Sequence, residues 1–238
     1  MQWLMFAAAL AAPLGFTPAP EGGPAFDQAR WLAPSLAIIA AGEGPGAPRG
    51  AGFAIASNSR ASYFLTERNL VAYAPAIGVF LQHPTRHWVP GHVIATGGDA
   101  LDAAVIEVPE PFVQPVLLST GDLRSFCYVE GAGAFARTLR QRCWMQLPDP
   151  WNTSGEWAGG VPFARLEGFF QDGAYATLQG PVPRAIPGTP LLDYESGIVV
   201  GMVAERQAET GDVTVVNLGR LVPMLASARI GVRNAALR

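Results

Sequence analysis

Few residues in this chain could take part in acid–base, nucleophilic or metal chemistry near neutral pH, and their placement is uneven. The three histidines, His83, His87 and His92, fall together in LQHPTRHWVPGHV. Spacings of four and five could present imidazoles to zinc from a helix. However, Pro84, Pro90 and Gly91 forbid a helix, and no carboxylate lies in the segment. The plainer reading is a surface hairpin, with a metal site or a displaced general base as alternatives. Cys127 and Cys143, sixteen residues apart, could close a loop whose cross-link would stabilise by about 3 kcal/mol, or stay as two buried thiols. No second pair of soft ligands stands at zinc-like spacing, so neither a metal nor any other cofactor is expected. Gly42, Gly44 and Gly46 look like a phosphate loop, but without a strand before and a helix after them they read as a turn.

Composition removes whole classes of mechanism. The 16 basic residues are all Arg and there is no Lys. Phosphate loops that depend on lysine, Schiff bases and Ser/Lys nucleophile pairs are therefore excluded. The chain has 238 residues, 50% hydrophobic and 15% charged, with a net charge of −3. A basic nucleic-acid binder, a coiled coil and a low-hydrophobicity disordered chain all need other compositions, so no nucleic-acid partner is expected. One large domain or two small ones remain.

The amino end, residues 1–20, is uncharged and contains the apolar run WLMFAAALAAPLGF. That length suits a secretory signal peptide better than a membrane span of about 20 residues. An uncleaved anchor that associates with a membrane, or a buried segment, are the alternatives. Residues 21–33 read as a Gly/Pro-rich tether.

From residue 34 the pattern is one of short apolar runs separated by Gly, Pro, Asn and Asp. Runs at 36–41, 52–56, 63–65, 77–81, 89–95 and 103–108 predict six strands. Residues 109–124, which begin PEPFVQPVLLST, read as a linker over the surface. A second set follows at 126–131, 138–147, 163–166, 175–179, 189–192, 198–204 and 213–216, within a unit spanning about 125–217. The only helix expected is at 221–228, with Pro223 tolerable in its first turn. Trp151 and Trp157 lie in a long Gly-rich loop, 148–160. They either offer aromatic anchors to a partner or fold back over the second unit.

Three segments in this order resemble the trypsin/chymotrypsin superfamily of serine proteases, most closely its bacterial HtrA (Deg-type) branch. GAGFAIASNSRASYFLTERNLV at 50–71 is similar to G-S-G-F-I-I…G-Y-I-L-T-N-x-H-V-V. DALDAAVIEV at 99–108 is similar to D-x-x-x-D-L-A-V-L-x-V. LQGPVPRAIPGTPLL at 178–192, followed by GIVVGMV at 197–203, resembles T-D-A-x-I-N-P-G-N-S-G-G-P-L…G-x-V-V-G-I. The resemblance covers 34–231, the protease domain alone. It implies an all-β fold of two six-stranded antiparallel barrels, the first at about 34–108, with a short C-terminal helix.

Carried over by position, the resemblance implies a degenerate triad. The general-base histidine falls on Asn69, the orienting aspartate on Asp102 and the nucleophilic serine on Pro187. Asn69 has no titratable nitrogen and Pro187 has neither a hydroxyl nor an N–H. Ala185 and Gly188 occupy the former oxyanion loop, and the substrate-pocket floor falls on Pro181. Asp102 could equally serve the backbone of its own loop. The expectation is an inactive protease homologue, periplasmic or secreted, that binds an unidentified protein or peptide. One alternative is a divergent hydrolase using Thr189, Asp102 and one of the three histidines. Another is an anchored structural subunit of an envelope complex.

Overall fold

The computed structural model describes residues 32–81, 85–99, 101–121, 143–146, 160–162, 165–169, 173–179, 186–193 and 197–233. A 3-10 turn, Ala33–Ser35, leads into strands β1 (Leu36–Ala41), β2 (Arg49–Ser57) and β3 (Ser62–Thr66). A single helical turn, α1 (Arg68–Val71), precedes β4 (Ile77–Leu81), β5 (His87–Thr96) and β6 (Ala104–Val108). These six strands pair antiparallel in the closed order β1-β2-β3-β6-β5-β4.

Period-two geometry explains why the barrel strands are apolar on nearly every residue. Successive side chains on a strand point to opposite faces. Ala37, Ile39, Ala54, Phe64, Val79, Leu81, Ala104 and Ile106 fill the barrel interior. Their neighbours Leu36, Phe53, Ile55, Leu65 and Val105 turn outward into a second core shared with Leu192, Val199, Met202, Val216, Leu221 and Leu225. Both faces of β2, β3 and β6 are therefore dry, and an unbroken apolar run is what such a strand requires.

The second half comprises β7 (Cys143–Gln146), β8 (Gly160–Pro162), β9 (Arg165–Phe169), β10 (Tyr175–Gln179), β11 (Pro190–Asp193), β12 (Val199–Arg206) and β13 (Val213–Asn217). They form one antiparallel sheet in the order β8-β7-β11-β12-β13-β10-β9. The expectation of two six-stranded barrels is met in part: among the described residues the first half closes and the second is an open seven-stranded sheet. Strand counts in a sequence do not reveal closure, because closure needs the first and last strands to meet at a compatible tilt and stagger.

Other departures are local. Strand β8 begins within the stretch read as a tryptophan loop. Residues of the expected surface linker are buried, with Val113, Val116, Leu118 and Ser119 covered and Leu118 bridging to Val199. Their apolar side chains complete the two cores. The C-terminal helix divides into a 3-10 turn, Leu218–Leu221, and α2 (Val222–Ser227), with a proline in the first turn of α2. Asn217 ends β13 and accepts the Gly219 N–H on its side chain, which starts that turn. No helix among the described residues is long and apolar enough to cross a membrane.

Candidate functional site

The end of β3 and the start of β11 are held against the same stretch of β2. Thr66 donates its hydroxyl to the Ala51 carbonyl at 2.7 Å. The Pro187 carbonyl accepts the Ala51 N–H at 2.9 Å. A side chain at Gly50 would meet Leu70 of α1 on one side and the Pro187 carbonyl on the other. Residue 50 must therefore be small for these elements to approach.

The chain turns into α1 at Glu67, whose backbone is extended and whose side chain makes no capping bond. That carboxyl is free to face elsewhere. Arg68 pairs with Asp99 at 2.9 Å, an exposed ion pair of small energetic weight. Asn69, exposed at the surface, donates twice to Asp102. Its N–H reaches Oδ1 at 3.0 Å and its Nδ2 reaches Oδ2 at 2.9 Å. A carboxylate only accepts, so the amide presents its NH₂ to Asp102 and keeps its oxygen for the other side. The Asp102 N–H in turn donates to the Tyr175 hydroxyl at 2.7 Å, across to β10 of the second sheet.

Glu67 completes the group. Burial is the largest influence on its carboxyl, followed by the charges of Asp102 and Glu205 and a hydrogen bond with Asp102. Together they push its pKa from 4.5 up to about 7. Sequence reasoning missed Glu67, Tyr175 and Glu205. For Glu67 a signal existed: it stands where the T-N-x-H motif has asparagine. For Tyr175 and Glu205, on distant strands, there was none.

At the other corner, Gly188 adopts φ of +85°, and a Cβ there would collide with the Ala51 carbonyl. Its N–H donates to the Val203 carbonyl at 2.8 Å and so is committed inward. Thr189 follows with its N–H on the Ile186 carbonyl and its own carbonyl on the Val203 N–H. Its side chain is fully covered and its hydroxyl has no partner among the described residues. A hydroxyl sealed from solvent cannot reach an external substrate, which removes the motive for reading Thr189 as a nucleophile.

His87 and His92 do not converge on this group. His87 places Nδ1 on the Thr85 carbonyl at 2.7 Å and Nε2 3.6 Å from Glu110. His92 is exposed on β5, opposite Glu107 of β6 in the strand register. Among the described residues no three His, Cys, Asp or Glu side chains are grouped to hold a metal ion. His83, Cys127, Trp151, Trp157, Pro181, Ala185 and the amino-terminal segment lie outside the described residues. Of Cys143 only the strand backbone, paired with Asp193, is described.

Chemically, the arrangement holds a carboxylate whose two oxygens are both occupied by one asparagine. In a working serine-protease triad that carboxylate accepts the Nδ1–H of the histidine that removes the nucleophile's proton. An amide nitrogen can make the same hydrogen bond but has no lone pair with which to accept that proton.

No family model and no curated protein matches the sequence. Solved structures do match in fold. The active form of the Rv3671c protease from M. tuberculosis is 19% identical over 98% of this chain and 95% of its own, with a TM-score of 0.60. A serine endoprotease from Yersinia pestis is 14% identical over 85% of this chain and 65% of its own, with a TM-score of 0.59. The HtrA-type protease AlgW, as a serine-to-alanine variant with a tripeptide, is 14% identical over 84% of this chain and 62% of its own, with a TM-score of 0.61. At these identities the likeness is one of fold, and the fold is that of HtrA-type serine proteases.

Proposed function

We propose that this chain is a trypsin-like serine protease homologue that has lost catalysis. In this reading it keeps the protease fold, outside the cytoplasm, as a module that binds or scaffolds a peptide or protein. Asn69, Asp102 and Pro187 occupy the places of base, orienting acid and nucleophile. The observation that carries it is the pair of hydrogen bonds from Asn69 to both Asp102 oxygens. The acid's orienting role survives there without a group that could move a proton. Pro187 supports the same conclusion for the oxyanion loop, since the donor expected from the nucleophile's own backbone is absent in proline. The open second sheet is taken as the counterpart of the second protease barrel.

The test uses the full-length chain with a fluorophosphonate probe and unfolded casein. No covalent labelling and no cleavage are expected. Stoichiometric labelling, or turnover abolished by a substitution in this chain, would refute the proposal. The double variant Asn69→His with Pro187→Ser then asks whether the scaffold is still shaped for peptide. Its expected activity is low, because Ala185 and Thr189 stand where the resembling motif has glycines that permit the loop's backbone geometry. A pull-down with the mature domain identifies the partner. Amino-terminal sequencing of the exported protein distinguishes a cleaved signal peptide from a retained anchor.

A further inference from the structure

Charge is divided unevenly along the chain. Residues 213–238 hold four arginines and no acidic residue, whereas the remainder sets 12 arginines against 19 acids, a net charge of −7. The described part of the basic stretch contains one compact excursion. It leaves the 113–121 segment at Gly219, where a Cβ would meet the Thr120 carbonyl. It returns at Arg233, whose carbonyl accepts the Leu118 N–H at 3.0 Å. Between these points lies α2, with Leu221, Met224, Leu225 and Ile230 turned into the core shared by the two halves. Val222, Pro223, Ala226, Arg229 and Arg233 stay exposed, as does Leu117, next to the residue that Arg233 bonds. Neither the excursion nor the 113–121 segment carries an acid. Arg220 is engaged within the fold, so the face is argued from Arg229 and Arg233.

Arg229 adds a second, independent observation. Its φ is +56°, and it is one of two non-glycine residues in the left-handed region among the described residues. Its N–H donates to the Ala226 carbonyl and the Ile230 N–H donates to the Leu225 carbonyl, each at 3.0 Å. That is the helix ending for which glycine is the usual residue, and Ile230 and Leu225 share a core beneath it. The motif is complete without the Arg229 side chain, and its backbone would favour having none. The pull of a six-residue helix end on an exposed cation is small. A guanidinium held outward at a position that prefers glycine is accounted for by what it meets outside the fold.

We propose that this face docks on an anionic bilayer, with Arg229 and Arg233 on lipid phosphates and Val222 and Leu117 against the acyl boundary. Protein surfaces that lie on membranes set cationic heads beside aliphatic side chains, and each cation near the lipid adds to binding. An acidic protein partner would favour aromatic anchors, and valine and leucine are under-represented among the residues that carry such contacts. The remaining chain, at −7, is repelled by an anionic surface and leaves this face as the one that approaches. Docking of this kind is independent of whether the chain retains catalysis.

The test is co-sedimentation of the full-length chain, at low salt, with vesicles of phosphatidylcholine alone or mixed equally with phosphatidylglycerol. Residues 1–20 carry no charge, so binding through them is alike on both, and the ratio of the two partition coefficients isolates the basic face. The natural chain should prefer the anionic vesicles. The ratio should fall about fivefold in Arg229→Gly and about 25-fold when Arg233→Gln is added. Glycine suits the backbone at residue 229, so the first variant should unfold at no lower temperature than the natural chain, and lost binding is then not lost folding. Arg229→Lys should keep most of the ratio, and Arg86→Gln, exposed just before β5, should leave it unchanged. Val222→Ser should weaken binding to the anionic vesicles severalfold. Equal partition on both vesicles, an equal fall in Arg86→Gln, or an unchanged ratio in the double variant would overturn the proposal. So would poly-glutamate in free solution binding as tightly as the anionic vesicles, with Val222→Ser affecting neither, because the face would then be a site for an acidic protein.

Discussion

The barrel half and the sheet half hold their share of the site in different ways. In the barrel, α1 and the loop before β6 bring Asn69 and Asp102 into a doubly hydrogen-bonded pair. In the sheet, the turn at Pro187 and Gly188 has every described backbone contact directed inward, to Ala51 and Val203. Under the proposed reading both halves have lost a catalytic group, yet only the barrel retains a side chain that makes the lost group's hydrogen bond. The difference follows from what each group did structurally. A base bonded to an aspartate also satisfies a buried-edge carboxylate, so an amide that can donate is a useful replacement. A nucleophile's hydroxyl points at substrate and satisfies nothing in the fold, so its loss leaves no vacancy to fill.

Substitutions can break this contrast at several levels. The largest effect is expected in the barrel interior, where Phe64→Ala should cost about 4 kcal/mol in chemical denaturation, because strands closed on both sides cannot collapse into the cavity. At the sheet's corner, Gly188→Ala should cost about 3 kcal/mol. Both its positive φ and the Ala51 carbonyl oppose a side chain, and a loss below about 1 kcal/mol would mean the turn is not held against β2.

Asn69→Asp is isosteric but replaces a donor with a second carboxylate. It should cost about 2 kcal/mol at pH 7, as a denaturation curve would show. Glu67→Gln gives the smallest change. The folded pKa of Glu67 lies above its free value. Its contribution is therefore fully present below pH 4.5 and is lost as pH rises through about 7. The glutamine variant should match the natural chain at pH 5 and exceed it by about 1 kcal/mol at pH 8.5, a gain that is modest because the carboxyl is only partly covered.

Much of the barrel was legible in the sequence. Strands β1, β4 and β10 have the ends their apolar runs predicted, with Gly42, Gln82 and Gly180 marking where each run stops. Strands β2, β3 and β5 extend one to three residues further at each end, where residues such as Arg49, Ser57, Ser62 and Thr66 continue the backbone pairing, whereas β6, β9, β11 and β12 start one or two residues later than their runs. Pairing is a property of the neighbour strand and leaves little trace in side-chain hydropathy. Strand β8 was missed for the same reason, since GVP has no alternation to betray it.

The site divided similarly. Under the proposed reading, the order of three short motifs points to Asn69, Asp102 and Pro187 as the triad positions, and Asn69 and Pro187 lack the atoms for proton transfer and attack. Local sequence determined that much because chemistry needs particular atoms, and their absence is visible in one dimension. What only the tertiary structure decided is who faces whom. Asn69 spends both donors on Asp102, Tyr175 reaches Asp102 from another sheet, Glu67 is pressed among carboxyls, and Thr189 is sealed from solvent. Burial and charge proximity are set by residues dozens of positions apart, and folding alone brings those together.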